Sequence, residues 1–73
     1  MYPPTDARKL FAKNVRRHLK RCGFSTAKFA QFIDVDRTTV YQWLRAKASP
    51  EVKNIGHVAD ALGVSVAALF SER

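Results

Sequence analysis

The chain has 73 residues, 47% of them hydrophobic and 26% charged, with a formal charge of +7 and a pI near 10.2. That length admits one domain, close to the lower limit for a core without disulfides or metal, and that composition excludes a disordered chain. The cation surplus favours a polyanionic partner, nucleic acid first and an anionic membrane surface second, and no apolar run is long enough to span a bilayer.

The opening stretch MYPPTDARKL carries charge where a signal peptide needs its apolar segment. Nothing in it directs export, and a cytoplasmic, nucleoid-associated protein is expected. The single cysteine, Cys22, has no internal partner and fits a reducing compartment. Residues 1–6 read as a flexible lead, because Pro3 and Pro4 lack backbone donors and no apolar pattern surrounds them; the domain is expected over residues 7–73.

Thr5 or Asp6 is placed to cap a first helix running to about Arg21. On it Phe11, Val15, Leu19 and Cys22 share a face, and Lys9, Lys13, Arg16, Arg17 and Lys20 occupy the rest. From Ala7 to Ile33 there are eight Lys or Arg residues and no acid. Such charges either solvate a helix or attract a DNA backbone by their summed field. Gly23 ends this helix in a left-handed cap. Ser25 is then an N-cap, with Phe24 and Phe29 at the two positions of a hydrophobic staple, and the second helix runs to about Phe32 or Ile33. Asp34, one of the few non-glycine residues tolerant of positive φ, makes the sharp turn before Val35.

Asp36 is a strong N-cap, so a third helix starts at Arg37 and is expected to reach Ala46. Within it Val40, Trp43 and Leu44 make one apolar stripe, whereas Arg37, Thr38, Tyr41, Gln42 and Arg45 lie on the other side. Arg can fork onto guanine, Gln onto adenine, and the Thr methyl can meet a thymine methyl. On these residues alone an ordinary amphipathic helix with a solvated face is an equal reading. Lys47 to Ser49 form a loop. Ser49-Pro50-Glu51 reads as a restart, and Val52, Ile55, Val58, Ala59 and Leu62 continue at helical spacing until Gly63. Val64-Ser65-Val66 with Leu69 gives a third cap and staple, opening a short final helix through Phe70. An all-α chain of five helices is expected, with a helix-turn-helix formed by the second and third.

The order of these parts resembles the lambda-repressor-like helix-turn-helix family of Cro/C1 or XRE type. The resemblance lies in VRRHLKRCGFS, FAQFIDVDRTTVYQWLRAKASP and VADALGVSVAALF, together covering roughly residues 11–70. It implies a compact five-helix domain whose third helix enters the major groove of double-stranded DNA, and a homodimer on a palindromic operator. It further implies base contacts by Arg37, Thr38 and Gln42, with Tyr41 and Arg45 nearby. Phosphate contacts then fall to Ser25, Thr26 and Lys28 at the second helix, Lys47 and Ser49 in the loop, and Lys53 and Asn54 at the fourth. Thr26 stands where the family often has Gln, and Asp34 where it commonly has Gly. Many members pair an Arg on the first helix with a Glu after the motif's Trp; this chain has Leu19 and Leu44 at those places. A buried ion pair replaced on both sides by apolar groups is tolerated, whereas losing one partner is costly. Leu19 and Leu44 are therefore expected to touch.

The remaining signals are weaker. His18 and Cys22 stand four apart, with His57 distant, but no cluster of zinc-site spacing accompanies them, so no metal or cofactor is expected; His18 reads as a residue of the core margin and Cys22 as a small buried hydrophobe. Four of the six carboxylates have capping, turn or helix-start roles, and no nucleophile-base spacing or phosphate-binding glycine loop is present, so an enzyme and a small-molecule substrate are not expected. Two functions stay open: a sequence-specific transcriptional regulator, repressor or autoregulator, and a protein-interaction or antitoxin-like module on the same fold. The short final helix offers Val66, Leu69 and Phe70 as a dimer surface or as a lid on the core.

Overall fold

In the computed structural model, which describes residues 4–72, four α-helices are followed by a 3₁₀ turn, and no strand occurs among the described residues. The elements are α1 (Pro4–Cys22), α2 (Thr26–Phe32), α3 (Arg37–Leu44), α4 (Val52–Leu62) and the 3₁₀ turn Ala67–Phe70. No helix among the described residues is long and apolar enough to cross a membrane. The first helix begins earlier than expected. Pro4, Thr5 and Asp6 are its first turn rather than lead and cap, and proline suits that place because the first helical N–H needs no partner. The rest of the expected lead, residues 1–3, lies outside the described residues.

All four α-helices end in the same closure. After each, one residue adopts positive φ: Gly23 at 74°, Asp34 at 59°, Ala46 at 58° and Gly63 at 70°. The next N–H then reaches back five residues, from Phe24 to Leu19, Val35 to Ala30, Lys47 to Gln42 and Val64 to Ala59, at 2.9–3.0 Å. These are Schellman closures, in which otherwise orphaned carbonyls find donors. In three of them the returning residue is apolar and packs against the core, namely Phe24, Val35 and Val64. The closure of α3 returns the exposed Lys47 instead. It also ends α3 at Leu44, two residues short of the expected Ala46, because a residue at positive φ cannot continue a right-handed helix.

Helix starts follow the sequence for α2 and α3. Ser25 accepts from the Lys28 N–H at 3.1 Å, Asp36 from the Thr38 N–H at 3.2 Å, and the Phe24 and Phe29 rings meet edge on at 5.7 Å. The start of α4 differs: Glu51, extended and making no side-chain cap bond, takes the place expected for Ser49. The helix proper then opens at Val52, which stands 85% exposed, so the buried stripe of α4 is entered only at Ile55.

The core is one cluster around the inner face of α1: Phe11, Val15 and Leu19 share it with Phe29 and Ala30 of α2, Val40, Trp43 and Leu44 of α3, Val58, Ala59 and Leu62 of α4, and Leu69. Within it α3 packs on α1, and α2 packs on α3. The Phe11 ring lies edge on to Trp43 at 6.3 Å and tilted against Phe70 at 5.6 Å. Leu19 and Leu44 belong to this one cluster. Cys22, expected inside, is exposed, because burial along the α1 stripe ends at Leu19, one turn earlier.

Two polar residues are buried with the core, Asn14 and His18. The Asn14 amide donates to the carbonyls of Leu10 at 2.9 Å, Leu69 at 3.1 Å and Ser71 at 2.8 Å, while its Oδ1 accepts from the Arg17 guanidinium at 2.8 Å. Two of those carbonyls belong to the chain end, which explains why the expected fifth helix is a single 3₁₀ turn. The Ala68 and Leu69 N–H groups bond three residues back to Ser65 and Val66, and the backbone is extended again at Ser71, where its carbonyl meets Asn14. Leu69 is thereby buried and Phe70 packed on Phe11, so the lid reading of the final segment holds; of the three residues offered as a dimer surface, Val66 is the one left largely exposed, at 47%.

Ala46 and Gly63 occupy equivalent left-handed positions with opposite residue choices. Ala46→Gly should stabilise the fold by roughly 0.5–1 kcal/mol, relieving a left-handed penalty of ~1–2 kcal/mol at some cost in chain entropy. Gly63→Ala, whose added methyl meets nothing within 4 Å, should destabilise by about 1 kcal/mol through backbone strain alone. Urea midpoints moving in opposite directions are the expected result.

His18 gives a pH dependence. Its Nε2 is buried without a hydrogen-bond partner among the described residues, and burial, then Arg17 and Arg21, lower its pKa from the ordinary 6.5. The unfolded chain therefore takes up that proton more readily than the folded one. Stability is undiminished above pH 6.5 and falls as pH drops from there through the folded-state value. His18→Leu should flatten urea midpoints between neutral pH and the onset of carboxylate titration, where wild type declines.

Candidate nucleic-acid interface

The geometry of α3 follows from how it is held. Its inner face, Val40, Trp43 and Leu44, is buried, and α2 and α1 both pack against it. Arg37, Thr38, Tyr41, Gln42 and Arg45 are all exposed along the outer face, as the spacing predicts. Tyr41 is 41% exposed; its ring stands at the surface.

Two shallow depressions flank this row. One is lined by Thr38, Tyr41, Gln42, Arg45 and Lys47. Lys47 arrives there through backbone geometry: the left-handed Ala46 folds the chain back, and the Lys47 N–H is bonded to the Gln42 carbonyl at 3.0 Å. The second depression lies between α2 and the start of α3 and is lined by Ala27, Lys28, Ala30, Gln31, Val35, Asp36 and Arg37. It brings Lys28 and Arg37 together. It also adds Gln31, exposed and three residues after Lys28 on α2, which the sequence reading passed over although its spacing puts it on the same side of the helix.

The other expected phosphate contacts are more dispersed. Ser25 is exposed, but its Oγ already accepts from the Lys28 N–H, leaving its hydroxyl proton for a ligand. Thr26 beside it is half-buried. Lys53 is exposed and Asn54 half-buried in the first turn of α4, where the Val52 and Lys53 N–H groups have no carbonyl one turn back within the helix. Ser49 is exposed in the loop before α4. With Pro50, Ile55, Ala7, Arg8, Phe11 and Phe70 it lines a small apolar cavity of about 120 Å³ on the α1 side of the loop. Among the described residues no group of three or more His, Cys, Asp or Glu side chains could hold a metal ion.

A short helix, a left-handed turn and a second helix whose polar face is held outward make a helix-turn-helix. The helix-turn-helix family pattern matches residues 15–69, from the middle of α1 into the 3₁₀ turn, and the chain belongs to that family, in its Cro/C1 or XRE type. The fold is similar to the crystal structure of a hypothetical transcription factor, NHTF, from Neisseria, with a TM-score of 0.86 and 30% identity over 97% of this chain and 82% of that one. Among curated proteins no sequence match accompanies it.

The Asp36 cap holds the first turn of the exposed helix. Asp36→Ala should cost about 1 kcal/mol in folding stability, and Asp36→Ser much less, because the hydroxyl can also accept from the first-turn N–H groups. Thermal unfolding of the two variants checks this.

Proposed function

We propose that the chain is a sequence-specific double-stranded DNA-binding transcriptional regulator of phage or bacterial type, a repressor or autoregulator that reads the major groove with α3. The observation that carries this reading is the exposed row from Arg37 to Lys47. It holds forked and amide donors spaced for base edges, no carboxylate after the cap, and a backbone closure that brings a lysine beside Gln42 where the other helix ends return an apolar residue. Family membership supports it, as does the likeness to a protein described as a transcription factor.

In this reading Arg37, Thr38 and Gln42 meet base edges, with Tyr41 and Arg45 beside them. Ser25, Thr26 and Lys28 hold one phosphate run, Lys47 and Ser49 another, and Lys53 and Asn54 a third through the open first turn of α4. Gln31 joins the first run or the base set, from the depression it shares with Lys28 and Arg37. Two copies on a palindromic site, their α3 helices about one DNA turn apart, complete the family arrangement. The protein-interaction reading draws on Phe32, 64% exposed beside a depression formed with Ile33, His57, Asp60 and Ala61.

The decisive measurement is a salt-resolved titration on selected and scrambled duplexes. Arg37→Ala and Gln42→Ala should each lose about 1–3 kcal/mol on the selected site and relax preference at one or two base pairs. Lys47→Ala should weaken both duplexes alike and make the salt slope shallower by about one unit, because a phosphate contact releases a counterion and carries no sequence information. Equal losses on both duplexes for all three variants would reduce the protein to a nonspecific basic module. Affinity indifferent to salt would favour the interaction module.

A further inference from the structure

We propose that the outer face of α1 is a second DNA-binding surface, which holds the phosphate backbone of a separate duplex segment while α3 holds its own site. The surface is a stripe of four exposed cations, Lys9, Lys13, Arg16 and Lys20, at helical spacings of four, three and four residues. They rise about 16 Å along the helix. Arg17 is left out because it is committed to Asn14.

The stripe is turned away from the duplex seated on α3. Phe11 points from α1 toward α3, where it meets Trp43. Lys20 follows Phe11 by nine residues, two and a half turns, and so stands on the opposite side of α1, with Lys9, Lys13 and Arg16 within about 40° of that direction. The reading row is likewise on the side of α3 away from Val40, Trp43 and Leu44. The two charged faces look away from each other across a domain whose shorter extents are 20 and 21 Å.

The charge pattern itself calls for a polyanion. Lys13, Arg16 and Lys20 have like charges one turn away and no carboxylate at those spacings on their own helix, an arrangement that weakens a helix in isolation. A duplex presents one negative charge per ~1.7 Å of axis, so one lying along the stripe offers more phosphates over that length than the stripe has cations. A lipid surface fits less well. Membrane-bound helices insert an apolar flank, but Phe11, Val15 and Leu19 are all committed to the core, and among the described residues the large hydrophobic side chains that stand exposed, Phe32, Tyr41, Val52 and Val66, lie on other elements.

The test is a two-duplex capture. A duplex carrying the selected site is immobilised, saturated with protein, washed, and offered a labelled scrambled duplex at low salt. Wild type should retain the label. Combined Lys9→Gln, Lys13→Gln, Arg16→Gln and Lys20→Gln should reduce retention at least tenfold while leaving affinity for the immobilised site within about threefold, and the retention it abolishes should carry a salt slope of about three to four. Lys9→Arg, Lys13→Arg and Lys20→Arg combined, which keep the charge, should retain the label as wild type does, and helical circular dichroism confirms that both variants fold. Label retained equally by the glutamine variant would place the second duplex elsewhere, for example on the α3 of a paired copy, and would overturn the proposal. So would a wild type that retains no label, or one that binds phosphatidylserine vesicles through the stripe but no second duplex. Failure of the α3 reading registers separately, as immobilised selected and scrambled duplexes loading equal amounts of protein.

Discussion

Three of the four α-helices are seven, eight and eleven residues long, shorter than a helix that persists alone in water, so the fold depends on packing around the inner face of α1. On that face rest α3, α4 and the 3₁₀ turn, while α2 packs against α3. Phe11, Val15 and Leu19 supply the apolar part of the α1 face, and Asn14 supplies its polar clasp. With no exposed area, Asn14 shares its two amide hydrogens among three carbonyls and accepts from Arg17 at its Oδ1, so that a buried polar side chain is fully partnered. It ties residues more than fifty positions apart, so the end of the chain is fastened to its beginning and the helices between are enclosed.

That enclosure is what frees the outer face of α3. A helix this short would otherwise spend its polar side chains on its own ends; here Asp36 satisfies the first turn, the Ala46 closure satisfies the last, and burial of Val40, Trp43 and Leu44 fixes its rotation. The backbone positions that carry the exposed arginines, threonine, tyrosine and glutamine are then fixed before any partner arrives. Preorganisation of that kind reduces the ordering cost of recognition.

Local compromises mark where stability has been given up. Ala46 occupies a backbone region that glycine fills at two of the other three closures, and His18 leaves a buried nitrogen without a partner among the described residues. The first lies beside the proposed reading face and the second beside the Asn14 clasp, one turn along α1. Lys13, Arg16 and Lys20, with like charges and no carboxylate one turn away on α1, are a third, electrostatic case.

What the sequence by itself determined is what depends on neighbours along the chain. Ser25 and Asp36 as caps, Phe24 with Phe29 as a staple, Gly23, Asp34 and Gly63 as left-handed closures and the two faces of α3 were all legible, because caps, turns and helical periodicity are settled within a few residues. The resemblance to the helix-turn-helix family was legible for the same reason, its motifs being strings of such local signals. The tertiary structure decided the rest. Ser49 has the residues of a cap after it, but Glu51 takes the cap position and the helix opens at Val52; Cys22 has the spacing of the core stripe but stands beyond the packed region; Val64 to Phe70 has a helix pattern but gives one 3₁₀ turn, with the carbonyls of Leu69 and Ser71 held by Asn14. Gln31 enters the α3 surface only once α2 and α3 are set against each other. For the final segment the competing partner, Asn14, lies far away in sequence, and spacing along the chain carries no information about which distant surfaces will meet.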